Sequence, residues 1–210
     1  MRIAREELGP VYFVTDAAAP VSVPAQVTAA LRAGVRLIQL RDKDASDKAF
    51  ETEARALLRL TRAAGARLVV NDRVEIAARI GVDGLHVGQG DGDIAAIRAA
   101  IGPDMILGLS VETEAQIEPV PLDSVDYLGA GPLRATATKP DAAQPLGMKG
   151  MARLIAAAPL PCVAIGGIGA ADAAPLRRAG AAGIAVVSAI SRAPDMEGAA
   201  RALIDAWRQA

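Results

Sequence analysis

Apolar positions along this chain fall into two alternating patterns. Short aliphatic runs of four or five residues recur at Val11–Thr15, Leu37–Leu40, Arg67–Asn71, Gly84–Val87, Ile106–Ser110, Asp126–Ala130, Cys162–Ile165 and Gly183–Val187. Each is short and apolar enough for a buried strand. Between them lie Ala-rich segments whose apolar residues recur every three or four positions, as helices require. The clearest, "DKAFETEARALLRLTRAAG", places Phe50, Ala54, Leu57, Leu58 and Thr61 along one stripe, with Lys48, Glu53, Arg55 and Arg59 largely elsewhere. Several strands follow a Gly-containing signal such as "RAGV" or "RAGAAG", the expected end of a preceding helix.

Alternating strand and helix implies a parallel sheet with right-handed crossovers. Eight such units in 210 residues predict a small α/β protein of the (β/α)8 TIM barrel class. An open doubly wound sheet is the structural alternative. No linker or composition break divides the chain, so residues 1–210 read as a single barrel domain in which residues 1–10 form an N-terminal extension. The longest irregular piece, Gly131–Gly147, is rich in Pro and Thr and too long for a simple connector, so it reads as a working loop.

Composition narrows the picture. Apolar residues make up 52% of the chain and aromatics 2%, so the core is aliphatic. A net charge of −1 and a pI near 5.9 give no general attraction to nucleic acid or to an anionic membrane. No window approaches the ~20 apolar residues that span a bilayer, and the charged N-terminus lacks a signal-like apolar run. The single cysteine, Cys162, cannot form an internal disulfide and reads as a small buried hydrophobe. These features point to a soluble cytoplasmic protein without nucleic-acid or membrane partners. Assembly into a homo-oligomer is left open.

In a parallel barrel the C-terminal strand ends share one mouth. Here they bring Gln39, Arg41 and Lys43 from "QLRDK", then Asn71, Asp72 and Arg73, then His86, Gln89 and Asp91, then Ser110. The loop after the sixth strand adds Thr136, Thr138 and Lys139. Asp72 and Asp91, on neighbouring strand ends, suit a shared hard cation such as magnesium, which takes one or two carboxylates and completes its shell with water and phosphate oxygens. Helix N-capping is the alternative for both. Gln39, Arg41 and Lys43 alternate along an extended segment and so point one way, which fits a substrate bearing phosphate and a polar ring. "AIGGIGAAD" and "AVVSAIS" would expose backbone N–H groups where short helices begin, a second phosphate site. "GIGAAD" lacks the third glycine of a dinucleotide fingerprint. His86, the only histidine, lies within a strand and reads as a satisfied structural residue. Ser110 has no evident His–Asp relay, which disfavours a hydrolase triad.

In order and spacing, the segments "YFVTD", "IQLRDK", "VVNDRVEIA", "GVDGLHVGQGD", "GLSVETEAQ", "VDYLGAGP", "TATKPD", "VAIGGIG" and "GIAVVSAIS" make the chain resemble thiamine phosphate synthase, also called thiamine-phosphate pyrophosphorylase. The resemblance implies condensation of an aminopyrimidine methyl diphosphate with a thiazole phosphate, giving thiamine phosphate and pyrophosphate with Mg2+ as cofactor. It also implies that Gln39, Arg41, Lys43, Asn71, Ser110 and Lys139 contact the pyrimidine diphosphate. Of these, Arg41, Lys43, Ser110 and Lys139 carry the catalytic roles. Asp72 and Asp91 would hold the metal, and Thr136, Ala137, Thr138, Gly167, Val187 and Ser188 would contact the thiazole phosphate. One departure stands out: "LRATATK" puts Arg134 and Ala135 where the family usually has an aromatic–Pro pair. The rivals are a thiazole tautomerase on the same scaffold, which tends to lose the diphosphate and metal residues, and another phosphate-ligand barrel enzyme.

Overall fold

In the computed structural model, residues 3–136 and 144–209 are described. Eight strands close a parallel barrel in sequence order, β1 (Val11–Val14), β2 (Leu37–Leu40), β3 (Arg67–Asn71), β4 (Gly84–Val87), β5 (Ile106–Val111), β6 (Tyr127–Ala130), β7 (Cys162–Ala164) and β8 (Gly183–Val186). Closure between β8 and β1 rules out the open doubly wound alternative.

The strands are nearly all apolar because both faces are buried, as in any parallel sheet covered by helices. Side chains alternate, so Val11, Phe13, Ile38, Leu40, Leu68, Val70, Leu85 and Leu107 face the surrounding helices. Tyr12, Val14, Leu37, Val69, Ile106, Tyr127, Val163 and Ala185 fill the barrel interior. The two tyrosines are the only large aromatic groups in that inner layer.

The helical stripe expected around Phe50 is observed. In α2 (Asp47–Ala63), which follows α1 (Val23–Ala33), the buried residues are Phe50, Ala54, Leu57, Leu58 and Thr61. Ser46 caps α2 by accepting from the Ala49 N–H. After α3 (Val74–Ile80), α4 (Ile94–Ile101) is capped by Asp93, whose carboxylate accepts from Ala96 N at 2.8 Å. The later helices are α5 (Gly147–Ala157), α6 (Ala170–Arg178), the four-residue α7 (Ser188–Ser191) and α8 (Met196–Arg208).

One crossover departs from the strand–helix alternation. Between β5 and β6 the chain forms only a 3-10 turn, Glu114–Gln116. Pro119 and Pro121 follow it and deny a helix its backbone donors. A buried ion pair braces this region: Arg98 of α4 meets the Asp126 carboxylate at 3.0 Å, and the same carboxylate oxygen accepts from Leu107 N at 2.9 Å. Arg98 also donates to the Ser124, Gly102 and Met105 carbonyls.

The segment before β1 is built into the barrel. Ile3, before a 3-10 turn (Arg5–Leu8), and Leu8, its last residue, join the interior cluster at the end opposite the strand C-termini. A Cβ on Gly9 would lie 2.3 Å from the Ala182 carbonyl oxygen, so only glycine lets the chain pass this close to β8. Cys162 is buried, and burial pushes its thiol pKa up to about 12, consistent with an inert core residue. Among the described residues no helix is long and apolar enough to cross a membrane.

Candidate active site

At the C-terminal ends of the strands lies a cavity of about 850 Å³. Gln39, Arg41 and Lys43 all line it, as their alternation along the chain predicts. The local fold explains why they do. Thr15, just past β1, donates its N–H to the Gln39 carbonyl and accepts from Arg41 N through its hydroxyl, at 2.9 and 3.0 Å. Asp42 turns away and caps its own loop, accepting from the Asp44 and Ala45 N–H groups at 3.0 and 3.1 Å.

Asn71 and Asp72 at the end of β3 also line the cavity, but Arg73 does not. Asp72 adopts a φ of 62°, the only non-glycine positive φ among the described residues. That left-handed turn breaks the strand's alternation and sends Arg73 outward. Arg73 there pairs with Asp47 at 2.6 Å, donates to the Ala45 carbonyl and lies 5.3 Å from the centre of the Phe50 ring. The expectation that Arg73 belongs to the cationic cup is therefore corrected: it braces the β2–α2 loop.

Asp72 and Asp91 meet across the mouth. Burial, then the neighbouring Asp91 charge and a hydrogen bond that the protonated Asp72 carboxyl donates to it, raise the Asp72 pKa to about 6, while Lys43 and Arg41 pull it back. Neither residue caps a helix, because Asp93 caps α4 and Arg73 precedes α3. Asp91 instead accepts from Gly88 N at 2.6 Å, which fixes its carboxylate over the β4 end. Two carboxyls this close resist double ionisation, and a hard dication relieves that repulsion. The donor set therefore fits magnesium. Among the described residues no group of three His, Cys, Asp or Glu gathers as a closed metal cage.

The opposite wall is backbone-rich. Thr136, Gly167, Val187 and Ser188 line it, together with Gly166, Ile168 and Gly169. Gly166 and Gly167 have φ of 88° and 67°, and a Cβ on Gly166 would lie 2.4 Å from the Pro132 Cβ. The glycine pair lets the β6 and β7 loops pack closely while freeing N–H groups at the mouth. Arg134 ties the same two loops together. Its guanidinium grips Asp172 of α6 with two contacts of 2.6 Å and reaches the Gly167 carbonyl at 3.1 Å. That contact holds the Asp172 carboxyl below the usual carboxylate range. Arg134 is a clamp on the rim with its charge matched by Asp172. Ala137, Thr138 and Lys139 lie outside the described residues.

The cavity floor holds groups that strand-by-strand reading overlooked. His86 is buried, as expected of a structural residue, yet it faces the cavity. Its Nε2 lies 2.9 Å from Ser110 Oγ and its Nδ1 2.9 Å from the Tyr127 hydroxyl. Ser110 therefore has a histidine neighbour, but a phenol occupies the position where a hydrolase triad needs a carboxylate. Tyr12, Tyr127 and Glu112 also line the cavity. The signal for the tyrosines was their inward strand parity, readable only once the register beside Leu37 and Gly108 is known.

Comparison with known proteins gives a consistent result. The thiamine monophosphate synthase family matches residues 11–190. A thiamine-phosphate synthase of Azorhizobium caulinodans is 48% identical over 194 residues, covering 91% of this chain and 92% of that protein. One from Roseiflexus castenholzii is 47% identical over 203 residues, covering 96% and 89%. Among solved structures, a thiamine phosphate pyrophosphorylase from Pyrococcus furiosus superposes with a TM-score of 0.88 at 31% identity, covering 98% of both chains.

Proposed function

The chain belongs to the thiamine monophosphate synthase family, and from that membership we propose how its barrel mouth works. The activity is that of a thiamine-phosphate synthase, a transferase joining an aminopyrimidine methyl diphosphate to a thiazole phosphate. Pyrophosphate leaves and thiamine phosphate forms.

We assign the pyrimidine diphosphate to the side of the cavity bearing Gln39, Arg41, Lys43, Asn71 and Ser110, and the thiazole phosphate to the wall of Thr136, Gly167, Val187 and Ser188. The methylene C–O bond breaks first, and its electron pair leaves with the diphosphate. The electron-rich aminopyrimidine carries the resulting positive charge. The thiazole nitrogen then gives its lone pair to the methylene carbon, so no protein nucleophile is needed. Arg41 and Lys43 neutralise charge growing on the departing oxygens, which is where preorganised electrostatics act most strongly. Asn71 and Gln39 orient the ring, and the glycine-backed N–H groups after β7 and β8 hold the second phosphate. Lys139, outside the described residues, is assigned from the family resemblance as a further cation for the diphosphate. A magnesium ion on Asp72 and Asp91, when bound, would screen the same diphosphate charge.

One observation carries this reading: two carboxylates and two cations line one side of the cavity, and a glycine-backed wall lines the other. Purified protein given both precursors and Mg2+ should release thiamine phosphate and pyrophosphate in equal amounts. Lys43→Ala should lose roughly 10²–10³ in rate, as removal of one preorganised contact typically does. Release of pyrophosphate without thiamine phosphate, or an undiminished Lys43→Ala rate, would refute the assignment.

A further inference from the structure

A continuous hydrogen-bonded chain crosses the barrel interior beneath the cavity. Gln39 Nε2 donates to the Tyr12 hydroxyl at 2.7 Å, Tyr12 meets the Tyr127 hydroxyl at 3.0 Å, Tyr127 meets His86 Nδ1 at 2.9 Å, and His86 Nε2 meets Ser110 Oγ at 2.9 Å. Gln39, Tyr12, Tyr127 and His86 are all buried. The links come from β1, β2, β4, β5 and β6, so the chain joins two substrate-facing groups that share no direct contact.

We propose that Gln39, Tyr12, Tyr127 and His86 form a polarised relay that holds Ser110 as a hydrogen-bond donor toward the substrate. The direction follows from counting protons. A phenol has one proton to give, and burial raises both tyrosine pKa values, so both phenols stay protonated. Tyr12 accepts from Gln39, so its own proton goes to Tyr127. Tyr127 therefore gives its proton to His86 Nδ1. The imidazole is then neutral with its proton on Nε2, and that proton goes to Ser110 Oγ. The Ser110 hydroxyl proton is left for the cavity. An imidazolium, or a neutral ring protonated at Nδ1, would reverse the Tyr127 link and strand the Tyr12 proton between two donors, a costly defect in a buried site.

The space for this relay is built in by glycine. A Cβ on Gly108 would lie 2.2 Å from Tyr127 Cζ and 2.5 Å from His86 Nδ1, and one on Gly129 would lie 3.0 Å from His86 Cε1. Both glycines are inward strand positions; a side chain at Gly108 would displace the His86–Tyr127 pair, whereas one at Gly129 would press on His86 more lightly. The relay makes His86, Tyr127 and Tyr12 positioning residues. What Ser110 then holds, a ring nitrogen or a diphosphate oxygen, rests on the synthase reading above, whereas the polarity itself does not.

Because His86 is the only histidine, 15N-detected NMR of the full chain reports its tautomer without ambiguity. The wild type at pH 8 should show a neutral ring with the proton on Nε2 alone. Tyr12→Phe, hydrogen-bonded to neither His86 nor Ser110, should convert this to a mixture of tautomers, and Tyr127→Phe should do the same. In Tyr12→Phe, kcat should fall about tenfold, the worth of one neutral hydrogen bond, with KM for the thiazole phosphate unchanged. A wild-type ring protonated at Nδ1 or at both nitrogens, a Tyr12→Phe spectrum like the wild type's, or an unchanged kcat would each overturn the relay. If the tautomers behave as stated but the wild type makes no thiamine phosphate, the synthase reading fails and the relay's polarity stands.

Discussion

Gly108→Ala adds one methyl group at the most crowded point of the barrel floor. The new Cβ would lie 2.2 Å from Tyr127 Cζ, 2.4 Å from its hydroxyl and 2.5 Å from His86 Nδ1. Carbon contacts relax only near 3.5–4.0 Å, so the tyrosine ring has to shift by more than 1 Å. That ring is fully buried and packs edge-on against Tyr12, with centroids 6.1 Å apart, so its way is blocked on that side. Overpacking of this kind costs about 1–3 kcal/mol. The shift also breaks the Tyr127–His86 hydrogen bond, worth about 0.5–1.5 kcal/mol. Against this, Ala restricts the unfolded chain and returns roughly 0.4–1 kcal/mol. The net loss centres on about 2 kcal/mol, which for a chain of 210 residues lowers Tm by about 4–8 °C. Gly129→Ala is the internal comparison. Its Cβ meets His86 Cε1 at 3.0 Å, so a few tenths of an ångström of adjustment suffice, and the loss should stay under about 1 kcal/mol. Urea unfolding followed by tryptophan fluorescence measures both, since Trp207 on α8 lies outside the barrel interior. Equal stabilities for the two variants, or a Gly108→Ala protein within about 0.5 kcal/mol of wild type, would refute the packing argument.

Three further outcomes follow from the described contacts. Arg98→Ala removes the guanidinium that faces Asp126, 2% exposed, and should cost about 3–5 kcal/mol in chemical denaturation; a loss below about 1 kcal/mol would show the brace to be dispensable. The Asp72 carboxyl is raised from 3.8 to about 6 in the folded protein, so its contribution to stability is fully present below pH 3.8 and is lost as pH rises through about 6. Thermal melts should therefore show Mg2+ raising Tm more at pH 8 than at pH 5, and an equal shift at both would contradict this. Asp172 is held below the usual carboxylate range by Arg134, so that pair contributes above about pH 4 and is lost as pH falls further. Arg134→Gln should narrow its stability gap to wild type under acid and raise KM for the thiazole phosphate alone. A higher KM for the pyrimidine diphosphate would place the clamp on the wrong side of the cavity.

Much of this architecture was legible along the chain. Each of the eight strands lies within one residue of its apolar run, because a strand buried on both faces carries its signal locally. The α2 stripe was equally plain, since helical periodicity over 17 residues leaves little choice of face. The cup formed by Gln39, Arg41, Lys43, Asn71, Asp72 and Asp91 followed from the rule that strand C-termini share a mouth. What stayed hidden depends on contacts between distant segments. Tyr12 and Tyr127 are 115 residues apart, and their hydroxyls meet only because the closed register brings β1 and β6 inward together. His86 reaches Ser110 for the same reason. Arg73 misled because alternation assumes an unbroken strand, whereas Asp72 turns the backbone to a positive φ. Arg134 registered only as a departure from the family's pattern; its Asp172 partner lies 38 residues on, in another segment. The segment before β1 carried too few apolar residues to announce that Ile3 and Leu8 enter the barrel interior.

Turnover of the two precursors by the Asp72→Asn/Asp91→Asn double variant bears most directly on the carboxylate pair. Thiamine phosphate formation measured across a Mg2+ titration should rise to a plateau in the wild type. In the double variant it should stay down by roughly 10²-fold or more at every metal concentration. A double variant that reaches the wild-type plateau at any Mg2+ concentration would contradict the assignment of these two acids to the metal and the diphosphate.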